Sequence, residues 1–149
     1  TFLNLSPNAM LSYTDYVGTE RSSGYHRNIS VLWLYIVYAE GTYYIGLSTT
    51  AINAAGTGVT EPTGGGYQRV AVTNNKTNFT DSTGGIVQNK VQFEFPESTT
   101  AWGTITHVFI ADSLTGGNIL YYDALTTPRT VQTATILLFA INSMKIQLV

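Results

Sequence analysis

Short apolar runs, each closed by glycine, proline or asparagine, recur along this chain at a spacing of roughly ten residues, and that rhythm constrains the fold more than any other feature. Val91, Phe93 and Phe95 alternate with Gln92 and Glu94 until Pro96 ends the run. Period-two alternation marks a half-buried strand, and proline lacks the N–H needed to carry a ladder further. Residues 104–111 form the next run, Gly116-Gly117 turns it into 118–122, and 125–128 reads as a connection. Residues 136–140 and 144–148 read as a last hairpin around Asn142-Ser143. Upstream, the runs 31–38 and 42–47 flank Glu40-Gly41, a pair suited to a tight hairpin turn. A strand over 66–73 follows, then a polar loop over 74–85 with Phe79 as its anchor. The expected fold is all-β: an antiparallel β-sandwich, or its relative the barrel, of about eight or nine short strands with an extended N-terminal arm.

Within that rhythm the stretch from Glu61 to Val70 stands out, because Pro62 and the triple glycine Gly64-Gly65-Gly66 sit together ahead of an alternating run. Proline fixes φ and glycine opens the φ > 0 region, so residues 62–66 form a turn. After it, Tyr67, Arg69 and Ala71 are expected on one face and Gln68, Val70 and Val72 on the other. A phosphate-binding loop needs a Lys-Ser or Lys-Thr and a following helix, and neither is here. The turn is architectural.

The chain divides into an N-terminal arm, residues 1–28, and a β-sandwich domain, residues 29–149. The arm scatters Phe2, Leu3, Leu5, Tyr13, Tyr16 and Tyr25 among Ser, Asn, Thr and Gly without a sustained period. A disordered tail carries fewer large apolar side chains, so these residues are candidates for docking, on a neighbouring subunit or back on their own domain. Val31, Trp33, Tyr35 and Tyr38 belong to a run apolar on both faces, as in a strand covered on both sides, and form a second candidate protein-interaction surface. A buried helix is the competing reading of that run.

Charged residues make up only 11% of the chain and the net charge is −2, so no basic patch points to nucleic acid or an anionic membrane. The longest apolar run, 31–39, falls short of the roughly 20 residues a membrane helix needs. Without cysteine there is no disulfide framework or thiolate metal site. No residue set marks a catalytic centre. His107 alternates with Val108 inside a strand; Glu94 and Glu97 flank Pro96, Asp112 and Asp123 sit at strand ends, and solvated carboxylates at loop ends are ordinary. Neither a metal nor an organic cofactor is expected, and the chain reads as a non-enzyme. Trp102, before Gly103, reads as a ring packed over the end of the sandwich, with sugar stacking as the competing role.

Several ordered motifs resemble a family of small tailed-bacteriophage virion proteins. They are Leu47-Ser48-Thr49-Thr50, the Thr-Glu-Pro-Thr-Gly-Gly-Gly-Tyr loop ending at Tyr67, Arg69-Val70-Ala71-Val72-Thr73-Asn74-Asn75, and Phe95-Pro96-Glu97. Trp102-Gly103-Thr104-Ile105-Thr106-His107, Gly116-Gly117-Asn118-Ile119-Leu120 and Ala124-Leu125-Thr126-Thr127-Pro128-Arg129-Thr130 continue the series. The resemblance implies a β-rich, non-enzymatic virion building block of the tail-fibre-like or capsid-associated kind. From it follow a place in the phage particle after assembly in the host cytoplasm and partnership with the major capsid protein or other virion proteins; the two-sided apolar run over 31–38 and the outward tyrosines add copies of itself (dimer or trimer) as partners. Capsid cement or decoration is the first expectation for its role; a tail-fibre or baseplate module that binds a host receptor or glycan is the second.

Overall fold

The computed structural model describes residues 41–147 and, ahead of them, three strand segments: β1 (Phe2–Leu5), β2 (Ser12–Thr14) and β3 (Glu20–Ser22). The remaining strands are β4 (Thr42–Ser48), β5 (Val70–Thr73), β6 (Ile86–Gln88), β7 (Phe93–Glu94), β8 (Gly103–Ala111), β9 (Ile119–Val131), β10 (Leu138–Phe139) and β11 (Lys145–Gln147). The fold is all-β, and its ladders are antiparallel except for the parallel pairing of β1 with β11.

Seven strands form one sheet in the order β5-β4-β8-β9-β1-β11-β6. Its two ends come back together: Val72 from β5 and Val87 from β6 line the same small cavity of about 30 Å³, with Ile110, Tyr121 and Ile146 between them. One curled sheet therefore supplies both layers around the main core, in the manner of a partly closed barrel. Ile45, Leu47, Val72, Val87, Ile105, Val108, Ile110, Tyr121 and Ile146 fill that core from the strands. The ribbon of β7 and β10 covers part of it with Phe93, Phe95, Leu137 and Phe139.

A second, smaller core lies on the other face, where Ile52 from the loop over residues 49–60 packs with Phe109, Ala111 and Ile119. Side chains on a strand point alternately to the two faces, so Tyr121 joins the main core and Tyr122 the smaller one. Ile105 and Val108 have opposite parity yet share the main core. The register between β8 and β9 shifts between Ile105 and His107, and this irregularity resets the alternation.

Local expectations hold where local chemistry decides them. Phe79 is buried in its polar loop, and Phe93 and Phe95 are buried while Gln92 and Glu94 are not. Asn142 adopts φ 64° in the expected turn, where Ser143 N–H donates to Ala140 O at 3.0 Å. Asparagine is among the few non-glycine residues that tolerate this conformation.

Three expectations are corrected. Residues 125–128 are not a connection but part of β9, which runs on to Val131. They lie where Ile105 pairs Arg129 and His107 pairs Ala124, so β9 advances five residues while β8 advances two. That slack lets Pro128 sit in a strand without owing a ladder hydrogen bond. The predicted last hairpin does not form: β10 pairs with β7, and β11 pairs with β6 and β1. Asn89 explains the divergence, since its Nδ2 donates to Ala140 O and Val91 O, both at 2.8 Å, and its Oδ1 accepts from Met144 N–H at 2.9 Å. These bonds hold the 140–144 turn against β6 instead of letting its arms pair. β6 itself, only three residues long, gives too little sequence to show a period. Finally, β5 begins at Val70 rather than at 66, because the three preceding glycines and Tyr67 serve a different purpose.

Of the candidate interaction residues, Phe2, Leu3 and Leu5 lie in β1 and Tyr13 in β2, which pairs with β3. Tyr16, Tyr25, Val31, Trp33, Tyr35 and Tyr38 lie outside the described residues.

Candidate functional site

Gly64, Gly65 and Gly66 all take positive φ (69°, 60° and 76°), a succession that residues with a Cβ rarely adopt. The turn they make lies against residues 97–102. A Cβ on Gly65 would sit 2.6 Å from Thr100 Oγ1 and 2.9 Å from the Trp102 indole nitrogen. In its place, Gly65 O accepts from Trp102 Nε1 at 2.8 Å and from Thr99 N–H at 2.9 Å. Trp102 is thus buried and packed as expected, its ring edge-on to Tyr67 at 5.4 Å between centroids, while Phe95 stacks on Tyr67 at 6.2 Å.

The turn delivers Tyr67 and Arg69 to Glu61. Tyr67 Oη donates to Glu61 Oε1 at 2.7 Å and accepts from Leu47 N–H at 2.9 Å. Arg69 meets both carboxylate oxygens, Nε to Oε1 at 2.9 Å and Nη2 to Oε2 at 2.8 Å. Its Nη1 donates to Ser113 O at 2.6 Å and Gly116 O at 2.8 Å, in the β8–β9 loop. The guanidinium lies 4.9 Å from the centre of the Phe109 ring. That ring in turn lies across Gly46, where a Cβ would fall 2.1 Å from it. One planar fork thereby ties β4, β8, the glycine turn and the β8–β9 loop together, a geometry lysine cannot match.

Burial pushes the Glu61 carboxyl up, but the hydrogen bonds from Arg69 and Tyr67 and the guanidinium charge outweigh it, leaving it below its ordinary range. For Arg69 the Glu61 hydrogen bond is the larger effect and burial the smaller opposing one, so its affinity for the proton rises. Burial pushes the Tyr67 hydroxyl well above its usual value, and the adjacent carboxylate adds to this. All three groups hold one ionisation state across the neutral range, which suits a clasp and not proton transfer.

Both adjoining loops are internally braced. In residues 49–60, Ser48 Oγ accepts from Thr60 N–H at 3.0 Å and Thr50 Oγ1 donates to Gly58 O at 2.6 Å. At the exposed tip Asn53 Oδ1 accepts from Ala55 and Thr57 N–H. In the other loop Asp112 accepts from Asn118, backbone N–H at 2.8 Å and Nδ2 at 2.9 Å. Asp112 thus serves a local turn, whereas Asp123 lies not at a strand end, as expected, but inside β9, opposite Val108, where it accepts from Ala124 N–H. Among the described residues no three side chains of His, Asp or Glu gather as a metal site would need.

Between the glycine turn and the β8–β9 loop runs a groove of about 350 Å³, lined by Pro62, Thr63, Gln68, Leu114, Thr115 and Gly116, with Glu61, Tyr67 and Arg69 at its base. The ion pair beneath it is self-neutralising, so the groove offers exposed hydroxyl and amide groups from Thr63, Gln68 and Thr115 without a net charge. Sequence reasoning picked out this turn and its Tyr67–Arg69 alternation but not the pairing. The available signal was an arginine on the same face as Tyr67, with a glutamate just ahead of the turn.

A helix-free fold over the described residues, braced by fixed loops at one end, defines a β-structured module built to hold its shape. The sequence assigns it more narrowly: residues 36–147 match the family described as Podophage GP4 fiber I protein gp80. The chain belongs to that family, and is a structural protein of the tailed-phage virion. No curated protein matches the chain.

Proposed function

We propose that the chain is a non-catalytic fibre module that presents its clasped loop end to the host cell surface, with the groove over Arg69 and Glu61 taking an uncharged saccharide. The observation that carries this reading is the groove: its walls combine Pro62 and Leu114 with the polar groups of Thr63, Gln68 and Thr115, above a self-neutralised ion pair and on loops that the Arg69 fork holds in place. A rigid site spends little ordering entropy on binding, which matters for ligands that offer only hydroxyl groups. The family's description as a fibre protein supports the same placement.

A second reading, capsid cement, rests on a separate feature. Ile136, Leu138 and Ile141 are 45%, 43% and 58% exposed, and Ile136 and Leu138 alternate with the buried Leu137 and Phe139, so they share the outward face around β10. An apolar row of that kind suits attachment to another virion protein. Gold-labelled antibody on intact particles separates the two: label at the tail supports the fibre module, and label spread over the shell supports cement. For the groove, Thr63→Ala/Gln68→Ala is expected to weaken adsorption of the recombinant protein to host cells while leaving its thermal unfolding unchanged. Unchanged adsorption rejects the groove as the contact surface.

A further inference from the structure

The sheet contains a position that residues 36–147 do not fill for themselves. β9 and β11 are not neighbours; β1 lies between them, with Asn4 and Leu5 opposite Tyr122 and Tyr121 on one side and Phe2 and Leu3 opposite Lys145 and Ile146 on the other. Residues 36–147, the part that matches the family, include β9 and β11 but not β1. Without an inserted strand, backbone N–H and C=O groups on the facing edges of β9 and β11 lack ladder partners, and the sheet separates into β5-β4-β8-β9 and β11-β6. The slot is thus a strand-acceptor site.

We infer that in the assembled particle this slot is occupied by Phe2–Leu5 of a second copy of the chain, so that copies are joined by exchanged strands. The inserted strand makes the same ladder with either source, so contacts do not discriminate between them and connectivity decides. Between β1 and β4 run the 36 residues from 6 to 41. Fully extended, such a length reaches on the order of 100 Å, ample for a neighbouring subunit. Within it β2 and β3 pair with each other and form a sheet of their own, so their ladders do not tether the segment to its own domain. Closing so long a segment on its own slot carries a loop-closure cost, whereas copies held side by side offer the strand at high local concentration. An extended strand added between two sheet edges draws its affinity from main-chain hydrogen bonds, so it needs no specialised side-chain pocket. The inference deepens the fibre-module reading by naming how copies are joined, and it rests on that reading only for their proximity.

The chain has no cysteine, so introduced thiols report without background. One full-length population carries Asn4→Cys, another Tyr122→Cys, and a third carries both, since these positions face each other across the β1–β9 ladder. The first two are co-expressed, purified together and oxidised. Strand exchange gives covalent dimers containing one chain of each kind, dissociated by reductant, and gives linked multimers from the double variant. A mixture that stays uncrosslinked while the double variant closes only within single chains overturns the inference, and absence of any crosslink overturns it as well. The crosslinks read strand placement wherever the protein sits in the particle. Antibody labelling reads location whatever the strands do, so the two readings fail separately.

Discussion

Replacing Arg69 by alanine tests the clasp most directly. The substitution strips both oxygens of Glu61 of their guanidinium donors, removes the donor to the Ser113 and Gly116 carbonyls, and uncovers Phe109. Removing one partner of a buried ion pair costs about 3–5 kcal/mol, because the other charge is left without compensation. The Arg69 side chain is 4% exposed but that of Glu61 is 27%, so water recovers part of the loss for the carboxylate. The lower end applies, about 3 kcal/mol. With an m-value of about 2 kcal/mol/M, the urea midpoint falls by about 1.5 M. Arg69→Lys keeps the charge but cannot span both carboxylate oxygens and two carbonyls, and falls between wild type and alanine. The double variant Glu61→Gln/Arg69→Met, which leaves no unpaired charge, costs less than Arg69→Ala alone. The assay is urea unfolding followed by circular dichroism, with limited proteolysis of the 49–60 loop as a local readout. An Arg69→Ala protein with an unchanged midpoint and an equally resistant loop refutes the reasoning.

Three further outcomes are expected. Glu61 sits below its ordinary value of 4.5, so its pairing contributes stability that is complete above that pH and fades as pH falls through the depressed folded value. Glu61→Gln should flatten this segment of the profile, read from urea midpoints between about pH 6 and about pH 3. Gly46→Ala places a methyl group against the Phe109 ring and should cost about 1–3 kcal/mol by overpacking, with a lower melting temperature as the measurement. Asn89→Ala leaves Met144 N–H and the carbonyls of Val91 and Ala140 without their side-chain partner, and should cost about 2–4 kcal/mol in the same urea assay.

What the sequence determined by itself was whatever depends on neighbours in the chain. The alternation of Phe93 and Phe95 with Gln92 and Glu94, the αL-tolerant Asn142, the glycine run at 64–66 and the anchoring Phe79 each follow from backbone sterics or from the two-residue period, and all hold. The class of fold was legible for the same reason, and the ordered motifs carried the family. What the tertiary structure alone decided was partnership. A strand's period does not name the strand it pairs with, so β11 joins β6 and β1 instead of β10, and β1 enters the sheet beside a strand far along the chain. Arg69 shows the same limit in a single residue. In a strand pattern a lone arginine reads as solvated, since an unpaired buried charge is prohibitive. It is buried here because Glu61, eight residues back, and the carbonyls of Ser113 and Gly116, 44 and 47 residues ahead, converge on one fork. Whether a charge can be buried depends on the groups that meet it in space, and only the folded chain brings them together.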